Sequence, residues 1–268
     1  MNAVDLTLTD LALASTLILI NGAISLAFGL RLERTLLINT IRMVVQLALI
    51  GLILKWIFTQ ASPVWTIGLA CVMISVAGFE VAMRQERRFS MLLTYGLGFG
   101  TLLFVGLLTT SFTLGAIIVP DPVYDPRYVL TILGMILGNT MTGVALVMNA
   151  MTQTASRERR ALEARLAMGQ PRFEAMRDVL GQSLRTGLLP ILNAMAASGV
   201  VALPGMMTGQ ILAGADPVSA TKYQILIMFA IAGATALGVL IAGLGTLYLL
   251  TDERHRLRLD RLTAIKSN

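Results

Sequence analysis

Largely apolar residues fill seven runs of the chain, 11–30, 36–58, 64–83, 91–116, 128–151, 188–212 and 224–250, with short polar segments between most of them and one long polar segment at 152–187. An α-helix rises about 1.5 Å per residue, so about 20 residues cross the roughly 30 Å hydrocarbon core of a bilayer. In hydrocarbon every backbone N–H and C=O must be paired within its own segment. Runs of this length suit helices rather than the roughly ten-residue alternating strands of a barrel. The pattern predicts an all-α, polytopic transmembrane protein of about seven spans, forming a single domain over residues 1–268. The composition agrees, with 56% hydrophobic residues, 13% charged residues and a mean hydropathy of +0.76.

The 152–187 segment carries seven arginines, Arg157, Arg159, Arg160, Arg165, Arg172, Arg177 and Arg185. Its apolar residues Leu162, Leu166, Phe173, Met176, Leu180 and Leu184 recur at intervals of 4, 7, 3, 4 and 4, which places them on one helical face. Gly169 and Pro171 interrupt that face. Glycine suits the left-handed position just past a helix end, and proline suits the first turn of the next helix. Two short amphipathic helices joined at Gly169-Gln170-Pro171 are therefore expected, presenting a corner. A basic helix lying on anionic lipid headgroups is the alternative reading.

Charge sets the orientation. The segments 31–34, 83–88 and 152–187 and the tail carry 2, 3, 7 and 5 Lys or Arg, 17 of the 21 in the chain, whereas Lys55, Arg127 and Lys222 fall on the other side. The positive-inside rule then puts the N-terminus, with Asp5 and Asp10, outside, and the C-terminus in the cytoplasm. The net charge of +6 and pI of 10.0 describe this topology, and no nucleic-acid-binding module accompanies them. The first span follows acidic residues and lacks a small-residue cleavage site, so it is expected to remain in the mature chain rather than act as a signal peptide. The lone Cys71 offers no disulfide framework and is expected to be a small core residue.

Few residues in the apolar runs carry chemistry. Arg42 and Gln46 lie one turn apart on one face of the second span, either snorkelling to the surface or lining an internal path. Pro204-Gly205 should kink or unwind the sixth span, exposing carbonyls. Beside it Met206, Met207 and Gln210 could offer thioether and amide ligands to a soft or borderline metal, although methionine more often fills packing gaps. Asn139 is polar at depth and needs a partner. Gly134-x-x-x-Gly138 and Gly205-x-x-x-Gly209 read as close-packing patterns, and Glu80 with Arg84 as an i,i+4 pair. Asp125-Pro126 and Asp216-Pro217 read as turn and cap chemistry, and His255 receives no role. The sequence has no phosphate-binding glycine loop, no Cys/His cluster and no Ser/His/Asp set, so the chain is expected to be neither an enzyme nor a cofactor carrier.

Glu163-Ala164, Gly169 six residues after the glutamate, and Val179 ten residues further on resemble the EAA signature of importer-type ABC transporter permeases, with Arg165 at the motif's second alanine and Gly181-Gln182 where its Leu-Pro would fall. The resemblance implies a cytoplasmic coupling loop that rests in a cleft of an ATP-hydrolysing subunit, with Glu163, Ala164, Gly169, Pro171, Phe173 and Val179 as its residues. The stretch LPGMM at 203–207, continuing through Gly209, Ile211, Ala213-Gly214, Asp216-Pro217-Val218 and Lys222-Tyr223-Gln224-Ile225, resembles the corresponding block of the FetB (YbbM) family. Arg42 with Gln46-Leu47, Gly134-Met135, Gly138-Asn139, Met141 and Met168-Gly169 extend it along most of the chain. That family comprises permeases linked to iron export and oxidative-stress resistance in bacteria, with plant relatives in aluminium tolerance. The resemblance implies a permease of the bacterial inner (plasma) membrane that exports iron or another metal. It would form a homodimer served by two copies of a separate ATPase that binds ATP and Mg. The polar, helix-breaking and thioether-bearing residues at depth, Arg42, Gln46, Asn139, Pro204, Gly205, Met206, Met207 and Gln210, are the candidates for its substrate path. An organic solute such as a nucleotide sugar is the alternative cargo. An ATPase-independent secondary transporter is the alternative class, and it calls for inverted repeats and paired intramembrane carboxylates that this sequence lacks. A non-transporting scaffold or receptor would need no polar residues at depth.

Reporter fusions at the two termini are expected to give opposite readings, cytoplasmic only at the C-terminus. Same-side readings would exclude an odd number of crossings.

Overall fold

The computed structural model describes residues 7–30, 32–60 and 62–264; Asp5, Arg31 and Lys266, three of the charges used above, lie outside the described residues. Its helices are α1 (Leu8–Ala27), α2 (Glu33–Gln60), α3 (Pro63–Met83), α4 (Met91–Phe112) with a π-helical continuation (Thr113–Ile118), α5 (Pro126–Arg157), α6 (Arg159–Ala167), α7 (Arg172–Ala175), α8 (Arg177–Ala197), α9 (Gly205–Leu212) and α10 (Pro217–Leu250). Six of them among the described residues, α1 to α5 and α10, are long and apolar enough to cross a membrane. The Asp-Pro pairs act as starts. Asp125 accepts a hydrogen bond from the Arg127 N–H and Asp216 from the Ser219 N–H, each with proline in the first turn.

The run at 188–212 departs from expectation, because it is not one span. Its first part belongs to α8, which begins at Arg177 and carries Asp178, Gln182 and Arg185 in its first half. After Ala197 the helix stops, residues 198–204 are not helical, and α9 adds only eight residues. Gly199 adopts φ +89°, a left-handed conformation that ends the helix, and Pro204 lacks an N–H and serves as the N-cap of α9. The break therefore begins a full turn before Pro204-Gly205. Among the described residues, six long apolar helices and one broken element stand where about seven spans, the sixth kinked or unwound at Pro204-Gly205, were expected.

α5 packs against α3, α4, α8 and α10 and forms the axis of the bundle. Its closest approach to α8 and α10 is set by glycine. A Cβ at Gly143 would lie 2.8 Å from Val239 Cγ2 and 3.0 Å from the Gly187 carbonyl oxygen, so the α5 and α8 backbones nearly touch. The two small-xxx-small patterns do not mediate such contacts: no atom lies within 4 Å of a Cβ built at Gly138, Gly205 or Gly209, and Gly134 meets only the end of Met73. By contrast α1 and α2 are exposed along almost their whole length, with Ser25 and Ile57 their buried residues. Lipid is the natural solvent for those apolar faces. Cys71, expected in the core, is exposed on α3.

The basic segments gather at one end of the bundle. The buried Gln85 side chain donates to the carbonyls of Val81 and Ala145, and the Glu86 N–H donates to Asn149 of α5. Arg87–Arg88 (β1) pairs antiparallel with Thr263–Ala264 (β2) of the tail, whose Leu257, Leu259 and Leu262 pack against the core.

Gly143→Ala is expected to lower unfolding stability by about 1–3 kcal/mol through overpacking. Gly233→Ala, also inside a long helix but with open space at its Cβ, should cost nothing. Thermal denaturation in detergent compares the two, and equal effects would refute a glycine-set crossing.

Candidate functional site

The break between α8 and α9 opens onto a pocket of about 290 Å³ bounded by α5, α8, α9 and α10. Asn139 on its wall lies about 20 Å along α5 from that helix's start, well inside a roughly 30 Å hydrocarbon core. Four of the expected path residues meet here, Asn139, Pro204, Gly205 and Met206, with Met135, Gln224 and Met228 beside them. Asn139 donates its side-chain N–H to the Met135 carbonyl oxygen at 2.8 Å. Gln224 is buried, and its side-chain carbonyl has no hydrogen-bond partner among the described residues. Sequence reading passed over it as part of a helix start. It is the first residue of the 224–250 run and lies two turns into α10.

The remaining candidates lie elsewhere. Arg42, exposed on α2, forms an ion pair with the partly buried Glu80 of α3, which also lies 3.9 Å from Arg84. Gln46 is exposed on α2, and neither residue lines the pocket. Met207 turns toward α10, where the Thr221 hydroxyl donates to its sulfur at 3.9 Å. Gln210 is partly buried with its side-chain carbonyl unpaired among the described residues, outside the pocket wall. Among the described residues no group of three His, Cys, Asp or Glu could hold a metal. Larger grooves, about 650 Å³ between α4 and α10 and about 540 Å³ beside Cys71, are lined almost wholly by apolar side chains and offer a solute few polar contacts.

At the basic end a corner forms at Gly169-Gln170-Pro171, but the second short helix expected there is instead the single turn of α7 followed by the long α8. α6 closes with the Gly169 and Gln170 N–H groups bonded to the carbonyls of Leu166 and Arg165, and Gly169 at φ +88°. Pro171 is the N-cap of α7 rather than part of its first turn. Arg165, standing where the related motif has alanine, braces the corner by binding Asp178 at 2.9 Å and the Ala175 carbonyl at 3.3 Å. Leu162, Met176 and Val179 are buried in the main core, so the apolar face packs on protein instead of lying on headgroups. Glu163, Ala164, Gly169, Pro171 and Phe173 stay on the surface with Met168. The tail joins them: the Arg172 N–H donates to His255 Nδ1 at 3.2 Å, and the Arg172 guanidinium lies 4.4 Å from the Tyr248 ring centre. Hydrogen bonds from the backbone and side chain of Arg256 hold the Asp252 carboxyl below the ordinary carboxylate range. That brace is fully present at neutral pH and is lost only as pH falls below that range.

Long apolar helices, a broken element at depth and basic ends define an integral membrane protein of the helical, inner-membrane kind. The comparisons place it further. The chain belongs to the uncharacterised protein family UPF0014, which matches residues 8–249. It is 31% identical over 263 residues to the Escherichia coli (strain K12) protein named "Probable iron export permease protein FetB", covering 98% of this chain and 99% of that one. It is 32% identical to the Bacillus subtilis (strain 168) "UPF0014 membrane protein YjkA" over 87% of this chain and 90% of that one. To the Arabidopsis thaliana "Protein ALUMINUM SENSITIVE 3" it is 30% identical over 83% and 80% respectively. No solved structure matches the chain. A relative of nearly equal length named as a permease agrees with a transport subunit rather than an enzyme.

Cysteines placed at Met206 and Asn139, in a chain carrying Cys71→Ala, are expected to react with a small water-soluble thiol reagent, because polar groups without protein partners draw water to the pocket. A cysteine at the lipid-facing Leu240 should not react. Equal protection at all three positions would show that the pocket is dry.

Proposed function

We propose that this chain is the permease subunit of an ABC-type metal exporter in the bacterial inner membrane. It would work as a homodimer with a separate ATPase that carries ATP and Mg. The observation that carries this reading is the break between α8 and α9 in a bundle of apolar helices. Non-helical backbone among membrane helices is tolerated where protein or a watery cavity receives it, and here its Pro204 end borders a pocket with thioether and amide groups. Iron comes first among the cargoes to test, on the name of the E. coli relative. A volume of about 290 Å³ sits at the bottom of the roughly 300–1,000 Å³ typical of sites for drug-sized molecules, which favours an ion over a nucleotide sugar.

ATP hydrolysis would be the work of a partner, because the sequence has no loop that cradles nucleotide phosphates. The exposed corner at Gly169 supports docking of that partner, and the positive-inside rule turns it toward the cytoplasm. α8 joins corner to pocket as one helix about 31 Å long. Motion of the docked ATPase would thus reach the pocket directly, pivoting where Gly143 meets Gly187.

The test is ATP-dependent loading of iron into inside-out vesicles holding the chain and its ATPase. Gly169→Ile strains a left-handed position and Glu163→Lys reverses a surface charge; each is expected to lower ATPase co-purification by about tenfold, or ~1.4 kcal/mol, and to lower loading with it, while membrane insertion stays normal. Full association in both variants would remove the corner as the docking site. Absence of metal loading with the complex intact would sink the transport reading.

A further inference from the structure

We infer that the pocket beside the α8–α9 break takes a soft monovalent cation, Cu(I) with Ag(I) as its probe, held by the thioethers of Met135, Met206 and Met228 and the side-chain carbonyl of Gln224. This deepens the transport reading and rests on it. The three methionines and Gln224 come from α5, α9 and α10 and line one cavity. No carboxylate, imidazole or thiol lines it with them.

Donor chemistry gives the first argument. Thioether sulfur is a soft, neutral ligand that suits Cu(I), whereas ferrous iron and other borderline or hard divalent ions are better served by imidazole and carboxylate. Charge gives the second. Removing an ion from water costs free energy that rises with the square of its charge, so a divalent cation loses about four times what a monovalent one of equal radius does. A pocket without a negative side chain cannot offset the larger loss. The N-terminus of α9 at Gly205 opposes any cation, and it opposes a divalent one more strongly; the last turn of α8, at Ala194 on the same wall, has the opposite polarity.

Gln224 gives an independent reason to expect a ligand. It is only 9% exposed, and its carbonyl oxygen has no hydrogen-bond partner among the described residues. A buried acceptor left unpaired is unfavourable, and a bound cation would satisfy it. Methionine as mere filling would leave little space, yet these three side chains border a cavity of about 290 Å³.

The experiment titrates the full-length protein, in nanodiscs of phosphatidylethanolamine and phosphatidylglycerol, with Ag(I), on a Cys71→Ala, Met168→Leu background that removes the exposed thiol of α3 and the exposed thioether of the corner. One Ag(I) per chain is expected, with affinity falling roughly 10–100-fold in Met206→Leu and in Met228→Leu, both of which keep side-chain volume. X-ray absorption at the silver edge on the protein with its pocket intact should show sulfur neighbours, a reading independent of how well any variant folds. Gln224→Glu supplies the missing negative charge and should let Fe(II) compete with Ag(I) at least about tenfold better. A first shell of oxygen and nitrogen alone, or unchanged affinity in both leucine variants, overturns the inference. Vesicle transport separates the two levels. If Fe(II) is moved while Ag(I) neither binds nor competes, the soft-cation assignment fails and the metal-transport reading stands; if neither ion is moved by the intact complex, the transport reading itself fails.

Discussion

Backbone hydrogen bonding in hydrocarbon is the constraint on which the rest of this structure depends. Six helices meet it by running unbroken through the apolar runs. The α8–α9 element meets it differently. Where the helix stops, the Ser198 N–H bonds to the Ala194 carbonyl, the Val201 and Ala202 N–H groups both bond to Ala197, and the Gly199 N–H bonds to Ala202. The break is thus a compact turn that pairs much of its own backbone. Pro204, with no N–H to satisfy, is suited to start the next helix there. Val200, Val201 and Leu203 of the turn are exposed, whereas Pro204, Gly205 and Met206 line the pocket with residues of α5 and α10.

The second requirement is that α5, α8 and α10 approach closely enough to hold a broken element in place. Hydrophobic burial offers little drive for this in lipid, so backbone proximity and van der Waals contact matter more. Gly143, Gly187 and Gly238 supply the proximity, each built tightly against a neighbouring helix. They were not legible as a motif, because each helix contributes one glycine at a crossing set by three-dimensional packing. The visible glycine pairs at 134/138 and 205/209 face open space or a flexible methionine. One of them borders the pocket, where lack of a side chain leaves room.

Much of the fold could be read from periodicity and punctuation: the long helices, the cap at Asp216-Pro217, and the corner at Gly169, whereas Asp125-Pro126, read as turn chemistry, caps α5. Boundaries failed where polarity and helicity part company. Arg177 to Thr186 is too polar to resemble a span, yet it is helical and continuous with the apolar turns that follow. The site was legible in part. Pro204-Gly205 announced a break, and Met206 and Asn139 do border it. Arg42 and Gln46 share a helical face, but a shared face does not say what lies opposite, and for Arg42 the opposite group is Glu80. Gln224 was hidden because a helix N-terminal region normally tolerates polar residues. His255 was hidden because its partner is a backbone N–H 83 residues away, at Arg172.

The placement of that histidine bears on how the corner could transmit force. A corner on a flexible loop would absorb the motion of a docked partner. Here Arg165 ties α6 to the first turn of α8, Arg172 is held between Phe173, Tyr248 and His255, and Tyr248 belongs to the last turns of α10. The exposed tip at Met168 and Gly169 therefore stands on a base anchored to two of the helices that wall the pocket. Pro190 lies in α8 between the Gly187 crossing and the pocket residues Ile191 and Ala194. It withholds one N–H from the helical ladder just beyond the Gly143–Gly187 contact, so α8 lacks one backbone hydrogen bond between that contact and the pocket wall.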